Sequence, residues 1–178
     1  MPKHDVPDPD IVLPVKLVIM DVDGVMTDGS VVVCADGSET KTFNVKDGSG
    51  IKYLMRSGLR TAILSGRHCP PVHHRARDLG IERCLTGHRD KLPAYRELVR
   101  EMGLSDAEVC YVGDDLPDIP PMRVAGFPVA VADAVDEVLA FASYVTRARG
   151  GCGAIREVAE LILKVQGKWD VLMRRYVG

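Results

Sequence analysis

The chain has 178 residues, enough for one domain with a proper core and too few for two comfortable ones. Its 46 % hydrophobic and 27 % charged residues mark an ordinary globular protein and argue against a disordered one. Twenty-three basic against twenty-five acidic residues give a net charge of −2, which argues against a dedicated nucleic-acid binder.

Residues 1–14 read as a mobile lead-in. Residues 1–10 hold three prolines and three aspartates and lack the apolar stretch of a signal peptide. The short apolar run Val15–Met20 reads as a buried parallel strand. Ser30–Cys34 and Glu39–Phe43 are β-rich and joined through Asp36-Gly37, a hairpin signal. Further strands are expected at Thr61–Leu64, Arg83–Leu85, Glu108–Val112 and Pro128–Val131, with an edge strand at Ser143–Thr146. Helices are expected at Gly50–Ser57, Pro71–Leu79, Leu92–Met102, Asp115–Val124, Ala134–Phe141 and Ala154–Val165. The alternation predicts an α/β fold: a doubly wound parallel sheet with right-handed crossovers, a protruding hairpin and no large cap domain. One domain over residues 15–170 and a tail over 171–178 follow. No apolar run approaches the roughly 18–20 residues of a membrane helix. Five cysteines, without a CxxC pair, fit a reducing cytoplasm better than a disulfide framework.

In open α/β sheets ligands bind beyond the carboxyl ends of the strands. There the sequence places Asp21, Asp23 and Gly24 after the first strand, then Ser65-Gly66-Arg67, then Lys91 and, last, Asp114, Asp115 and Asp118. Asp21 and Asp23 point to one side if the chain stays extended, and Gly24 permits a sharp turn. A cluster of Asp21, Asp23, Asp114 and Asp115 repels itself, and a hard divalent cation such as Mg²⁺ relieves this while also neutralising a phosphate. One aspartate can then attack phosphorus, and another can protonate the leaving oxygen and later activate water. Ser65 and Lys91 suit the holding of phosphoryl oxygens. Taken singly, each piece is also an ordinary turn, cap or solvated helix residue; the ordered set carries the specificity.

The set resembles the haloacid dehalogenase superfamily of phosphohydrolases: DxDGxxxD at Asp21, Asp23, Gly24 and Asp28, a hydroxyl at Ser65, Lys91, and the acidic pair Asp114-Asp115. The segments DVDGVMTDG (21–29), FNVKDGSGI (43–51), LSGR (64–67), YVGDD (111–115), VAVAD (129–133) and YVTRARGGCGAIRE (144–157) are similar to the 3-deoxy-D-manno-octulosonate 8-phosphate phosphatases. Ser65, where that family carries Thr, keeps the hydroxyl; Cys152 in the Gly-rich segment departs from the pattern. The resemblance implies a Mg²⁺-dependent phosphomonoesterase working through an aspartyl-phosphate on Asp21, with Asp23 as the acid. It implies Mg²⁺ on Asp21, Asp114 and the Asp23 backbone carbonyl, with Asp115 and Asp118 behind them. It also implies a homotetramer whose hairpins help cover neighbouring sites.

A sugar acid has two anionic ends. Lys91 and the metal take the phosphate, so the carboxylate needs a second cation. Arg67 beside Gly66 is the candidate, with Lys46, from this or a neighbouring subunit, as the alternative, and Asn44 and Asp47 as further polar contacts. The alternative substrate is a nine-carbon keto-deoxy sugar acid 9-phosphate. A signalling receiver fits less well, because the third strand ends in Thr86-Gly87-His88 rather than Asp, and a silent interaction module fits less well because all the catalytic residue types are present. The absence of GxxxxGK[ST] excludes a P-loop enzyme. His68, His73 and His74 do not share one helix face and read as structural or surface residues. Gly150-Gly151-Cys152-Gly153 reads equally as an anion-binding helix start or a turn that docks a helix.

Overall fold

A computed structural model describes residues 7–177. Six parallel strands form one sheet: β1 (Leu17–Met20), β4 (Arg60–Leu64), β5 (Arg83–Leu85), β6 (Val109–Gly113), β7 (Phe127–Ala130) and β8 (Tyr144–Val145). Their order is β5-β4-β1-β6-β7-β8, so the chain winds outward from β1 in both directions. That reversal lies between β4 and β6 and opens a crevice at their carboxyl ends. The strands are continuous apolar runs because helices cover both faces; β1, β6 and β7 are buried at every position. The expected doubly wound fold is present.

A separate two-stranded hairpin, β2 (Val32–Val33) and β3 (Glu39–Thr40), leaves after β1. Its ladder is shorter than the expected runs, Ser30–Cys34 and Glu39–Phe43. Val31, Val32 and Val33 are exposed.

The covering helices are α2 (Val45–Arg56), α3 (Pro70–Leu79), α4 (Lys91–Glu101), α6 (Asp136–Phe141) and α7 (Ala154–Val165). α7 buries Ile155, Val158, Ala159, Ile162 and Leu163, a spacing that puts one apolar stripe on the core. α2 begins at Val45 rather than Gly50, because Asn44 caps it: its side chain accepts from the Lys46 amide at 2.8 Å. Segment 115–124 is not one helix. A 3₁₀ turn at Leu116–Asp118 leads into the short α5 (Ile119–Met122), since Pro117, Pro120 and Pro121 remove backbone donors.

Two elements lie where the sequence showed lead-in and tail. α1 (Pro9–Val12) is capped by Asp8, and Val12 and Val15 are buried. Gln166 Nε2 donates to the carbonyls of Val12, Leu13 and Val15 at 3.2, 3.2 and 2.8 Å. The expected mobility thus does not extend to these residues, because they pay their ordering entropy with core contact; residues 1–6 lie outside the described part. α8 (Trp169–Val177) packs Trp169 edge-on against Tyr53, 6.2 Å between ring centroids.

Candidate active site

The loop after β1 starts on the sheet. The Asp21 amide donates to the Val112 carbonyl at 3.0 Å, which continues the β1–β6 ladder by one bond. The chain then turns back on itself: the amides of Met26 and Thr27 both donate to the Val22 carbonyl at 3.0 Å. The Thr27 hydroxyl donates to the same carbonyl and accepts from the amides of Gly24 and Gly29. Gly24 has φ +91°, and a Cβ there would lie 2.0 Å from Asp114 Oδ2. Only glycine lets the two acidic loops approach this closely.

The crevice holds a cavity of about 330 Å³, lined by Asp21, Asp23, Gly66, Arg67, Arg89, Lys91, Asp114, Asp115, Pro117 and Asp118. Lys91, the first residue of α4, is buried and donates to Asp21 Oδ1 at 2.7 Å and to Asp118 Oδ1 at 2.6 Å. Asp118 is fully engaged. Its Oδ1 also accepts from the Tyr111 hydroxyl at 2.7 Å, and its Oδ2 from the amides of Asp114 and Asp115 at 3.1 and 3.3 Å. Asp114 Oδ1, by contrast, is buried with no hydrogen-bond partner. Such an orphaned acceptor is costly unless something absent from the protein satisfies it.

The electrostatics agree. Burial, then the charge of Asp118, pushes the Asp21 carboxyl up to about 7 despite Lys91. Burial, then Asp21 and Asp118, pushes Asp114 up to about 8. Burial alone would lower the Lys91 ammonium, but its two carboxylate partners outweigh that and raise it. Among the described residues, Asp21, Asp114 and Asp118 form the one group of three such donors with oxygens within 4.8 Å. These residues fit a hard divalent cation that neutralises charge and binds oxygen. Asp118, with both oxygens already bonded, suits the role of orienting its neighbours, and Asp114 that of a ligand.

Asp23 is half-buried in the cavity wall and pairs with Lys41, whose side chain is almost wholly buried. Lys41, Arg89, Pro117 and Tyr111 were not singled out from the sequence. Lys41 in particular arrives from the hairpin, and no local pattern announces it. Ser65 is buried at the end of β4, and its Oγ accepts from the Arg67 amide at 3.3 Å. Asp115 is exposed and caps the 3₁₀ turn through the Leu116 amide at 2.8 Å.

Asn44, Lys46 and Asp47 do not line the cavity. Asn44 caps α2, and Lys46 is exposed. Asp47 is buried and accepts from the amides of Gly153 and Arg156 at 3.2 and 2.8 Å, so it caps α7. The anion at that helix start is therefore the protein's own carboxylate. The Gly-rich segment docks on the loop after β1 instead: the Gly151 amide donates to the Val25 carbonyl at 2.9 Å, and a Cβ on Gly150 would sit 1.7 Å from the Gly24 carbonyl oxygen. His68 Nδ1 and His73 Nε2 both meet the Thr86 hydroxyl, at 3.1 and 3.0 Å, as structural residues do.

Residues 84–150 match the haloacid dehalogenase-like hydrolase family. The chain is 47 % identical over 156 residues to the 3-deoxy-D-manno-octulosonate 8-phosphate phosphatase KdsC of Yersinia pestis, covering 88 % of this chain and 83 % of that one. It is similar, at TM-score 0.94 and 46 % identity, to a probable YrbI family phosphatase of Pseudomonas syringae pv. phaseolica, covering 96 % and 97 % of the two chains. It is also similar, at TM-score 0.92 and 40 % identity, to the 3-deoxy-D-manno-octulosonate 8-phosphate phosphatase of Moraxella catarrhalis, solved with magnesium, phosphate and KDO; 94 % and 97 % of the chains are covered.

Proposed function

The chain belongs to the 3-deoxy-D-manno-octulosonate 8-phosphate phosphatases among the haloacid dehalogenase-like hydrolases, and from that premise we propose that it hydrolyses this sugar-acid phosphate with Mg²⁺ as cofactor. The observation that carries the chemistry is Asp114 Oδ1, buried and unpartnered within reach of Asp21.

Asp21, Asp114 and the Asp23 backbone carbonyl would hold the cation. Bound there, Mg²⁺ supplies charge neutralisation that lets a carboxylate approach an anionic ester. Asp21 attacks phosphorus, the bond from phosphorus to the sugar oxygen breaks, and an aspartyl-phosphate forms. Asp23 gives its proton to the departing oxygen, then takes one from the water that releases phosphate and restores Asp21. Lys91 fixes Asp21 at 2.7 Å and balances charge on the transferring group. The Ser65 hydroxyl, just after β4, would hold a second phosphoryl oxygen, although Ser65 is not among the residues that line the cavity. Arg67, at the cavity wall and 42 % exposed along its side chain, takes the substrate carboxylate as a planar fork.

A homotetramer is part of this reading. A hairpin of two residues per strand is marginal alone, and its exposed Val31, Val32 and Val33 favour burial against other copies. A cytoplasmic location suits five unpaired cysteines. The deciding experiment is phosphate release with Mg²⁺ from a panel that includes the eight-carbon and nine-carbon sugar-acid phosphates and simple sugar phosphates. Preference for the eight-carbon acid supports the reading. Preference for the nine-carbon acid reassigns the substrate, and equal rates on simple phosphates reject it.

A further inference from the structure

Arg67 is not free to receive a ligand. Its Nη2 donates to Glu39 Oε1 of β3, and its Nη1 lies 3.8 Å from Asp23 Oδ2. Both terminal nitrogens of the fork that would grip a substrate carboxylate thus face carboxylates of the chain itself. The two are not equally able to leave. Asp23 is also held by buried Lys41 and stands at the reacting centre. Glu39 stands on a strand of two residues paired only with β2, outside the residues that line the cavity. Its other nearby group is the Cys69 thiol, 3.8 Å from Oε2, a weak donor.

We propose that Glu39 is an internal competitor for the acid end of the substrate: its carboxylate holds Arg67 in the free enzyme and is displaced by the substrate's carboxylate. The proposal rests on the sugar-acid phosphate reading above. The exchange swaps one charge-assisted pair for another, so a ligand that brings a carboxylate loses little by it. A phosphate ester without one has nothing to offer Arg67 and leaves the pair closed. When product departs, Glu39 re-engages Arg67, which weakens the hold on the released sugar acid.

Glu39→Gln removes the competing charge and keeps the size. The KM for the sugar-acid phosphate should then fall about two- to fivefold, the scale of a partly exposed ion pair, with kcat little changed. The inhibition constant of 3-deoxy-D-manno-octulosonate itself should fall by the same factor, and the KM for an aryl phosphate should not move. Glu39→Asp should stay close to wild type. In an Arg67→Ala background, Glu39→Gln should have no further effect on any of these. A rise in KM for the sugar-acid phosphate, or equal changes on both substrates, would mean that Glu39 orients Arg67 or supports the hairpin, and would overturn the proposal. If wild type prefers the sugar acid but Glu39→Gln leaves its KM unchanged, only this inference fails. If wild type shows no such preference, the substrate reading fails first and the inference with it.

Discussion

Asp114 Oδ1 and the crowding around it set the expected behaviour of individual residues. Burial and then the charge of Asp118 push Asp21 up to about 7, and burial, then Asp21 and Asp118, push Asp114 up to about 8, against 3.8 for the free side chain. The folded, metal-free chain therefore binds protons that the unfolded chain releases. Its stability should fall as pH rises from about 4 to about 8, since the folded state then holds the larger number of protons. Mg²⁺ should reverse this, because a cation satisfies the carboxylates without protons. Melting curves across that range in EDTA and in Mg²⁺ test it; a metal-free Tm that climbs with pH would contradict the repulsion. Asp21→Asn should lower turnover by at least about a thousandfold while the fold persists, because the variant lacks the carboxylate proposed to attack phosphorus. Asp23→Asn should hurt most with poor leaving groups, where protonation matters most. Rates for aryl phosphates of graded leaving-group pKa separate this from a uniform loss.

At the level of elements, the ends of helices decide more than their interiors. Asp47 was expected among the substrate contacts; it instead ties the start of α7 to α2 through two amides across 106 and 109 residues of chain. Asp47→Ala should cost about 2 kcal/mol of stability, the scale of a lost helix cap with buried amides left unpaired. Denaturant unfolding should show that loss while KM for the sugar-acid phosphate stays near wild type. A raised KM at unchanged stability would return Asp47 to the substrate. Gly150 and Gly151 likewise serve packing. Their backbone lies on the loop that carries Asp21 and Asp23, so the segment leading into α7 packs against that loop. Glu157 extends this brace by accepting from the Tyr144 hydroxyl at 2.6 Å and the Ala148 amide at 3.0 Å, which joins β8 to α7.

For the whole molecule, the open question is what closes the cavity. A phosphoryl-transfer site works best with water held out, and no inserted cap stands between β1 and β4 beyond the hairpin and α2. Hairpins brought together in a tetramer would supply cover. Sedimentation of wild type should give four copies, and shortening residues 30–43 should reduce both assembly and activity on the sugar-acid phosphate. Part of that activity loss would come from removing Lys41, the partner of Asp23, so the sedimentation result is the cleaner readout. A stable, fully active monomer would dismiss the tetramer.

The sequence alone determined the sheet and the order of its chemistry. A parallel α/β sheet sends the carboxyl end of every strand to one edge, so residues that directly follow strands, such as Asp21, Arg67 and Asp114, meet without further information. Buried strands also announce themselves as apolar runs, which is why their positions were legible to within two residues. The tertiary structure decided the rest. Whether Asn44 and Asp47 face a ligand or a helix end depends on how α7 docks about a hundred residues later. Whether α8 packs depends on Tyr53 and Arg156 lying under Trp169. Lys41 and Glu39 reach Asp23 and Arg67 only because the returning strand of the hairpin comes back to the rim of the crevice. These contacts join distant points of the chain through side-chain packing, and spacing along the sequence carries no trace of them.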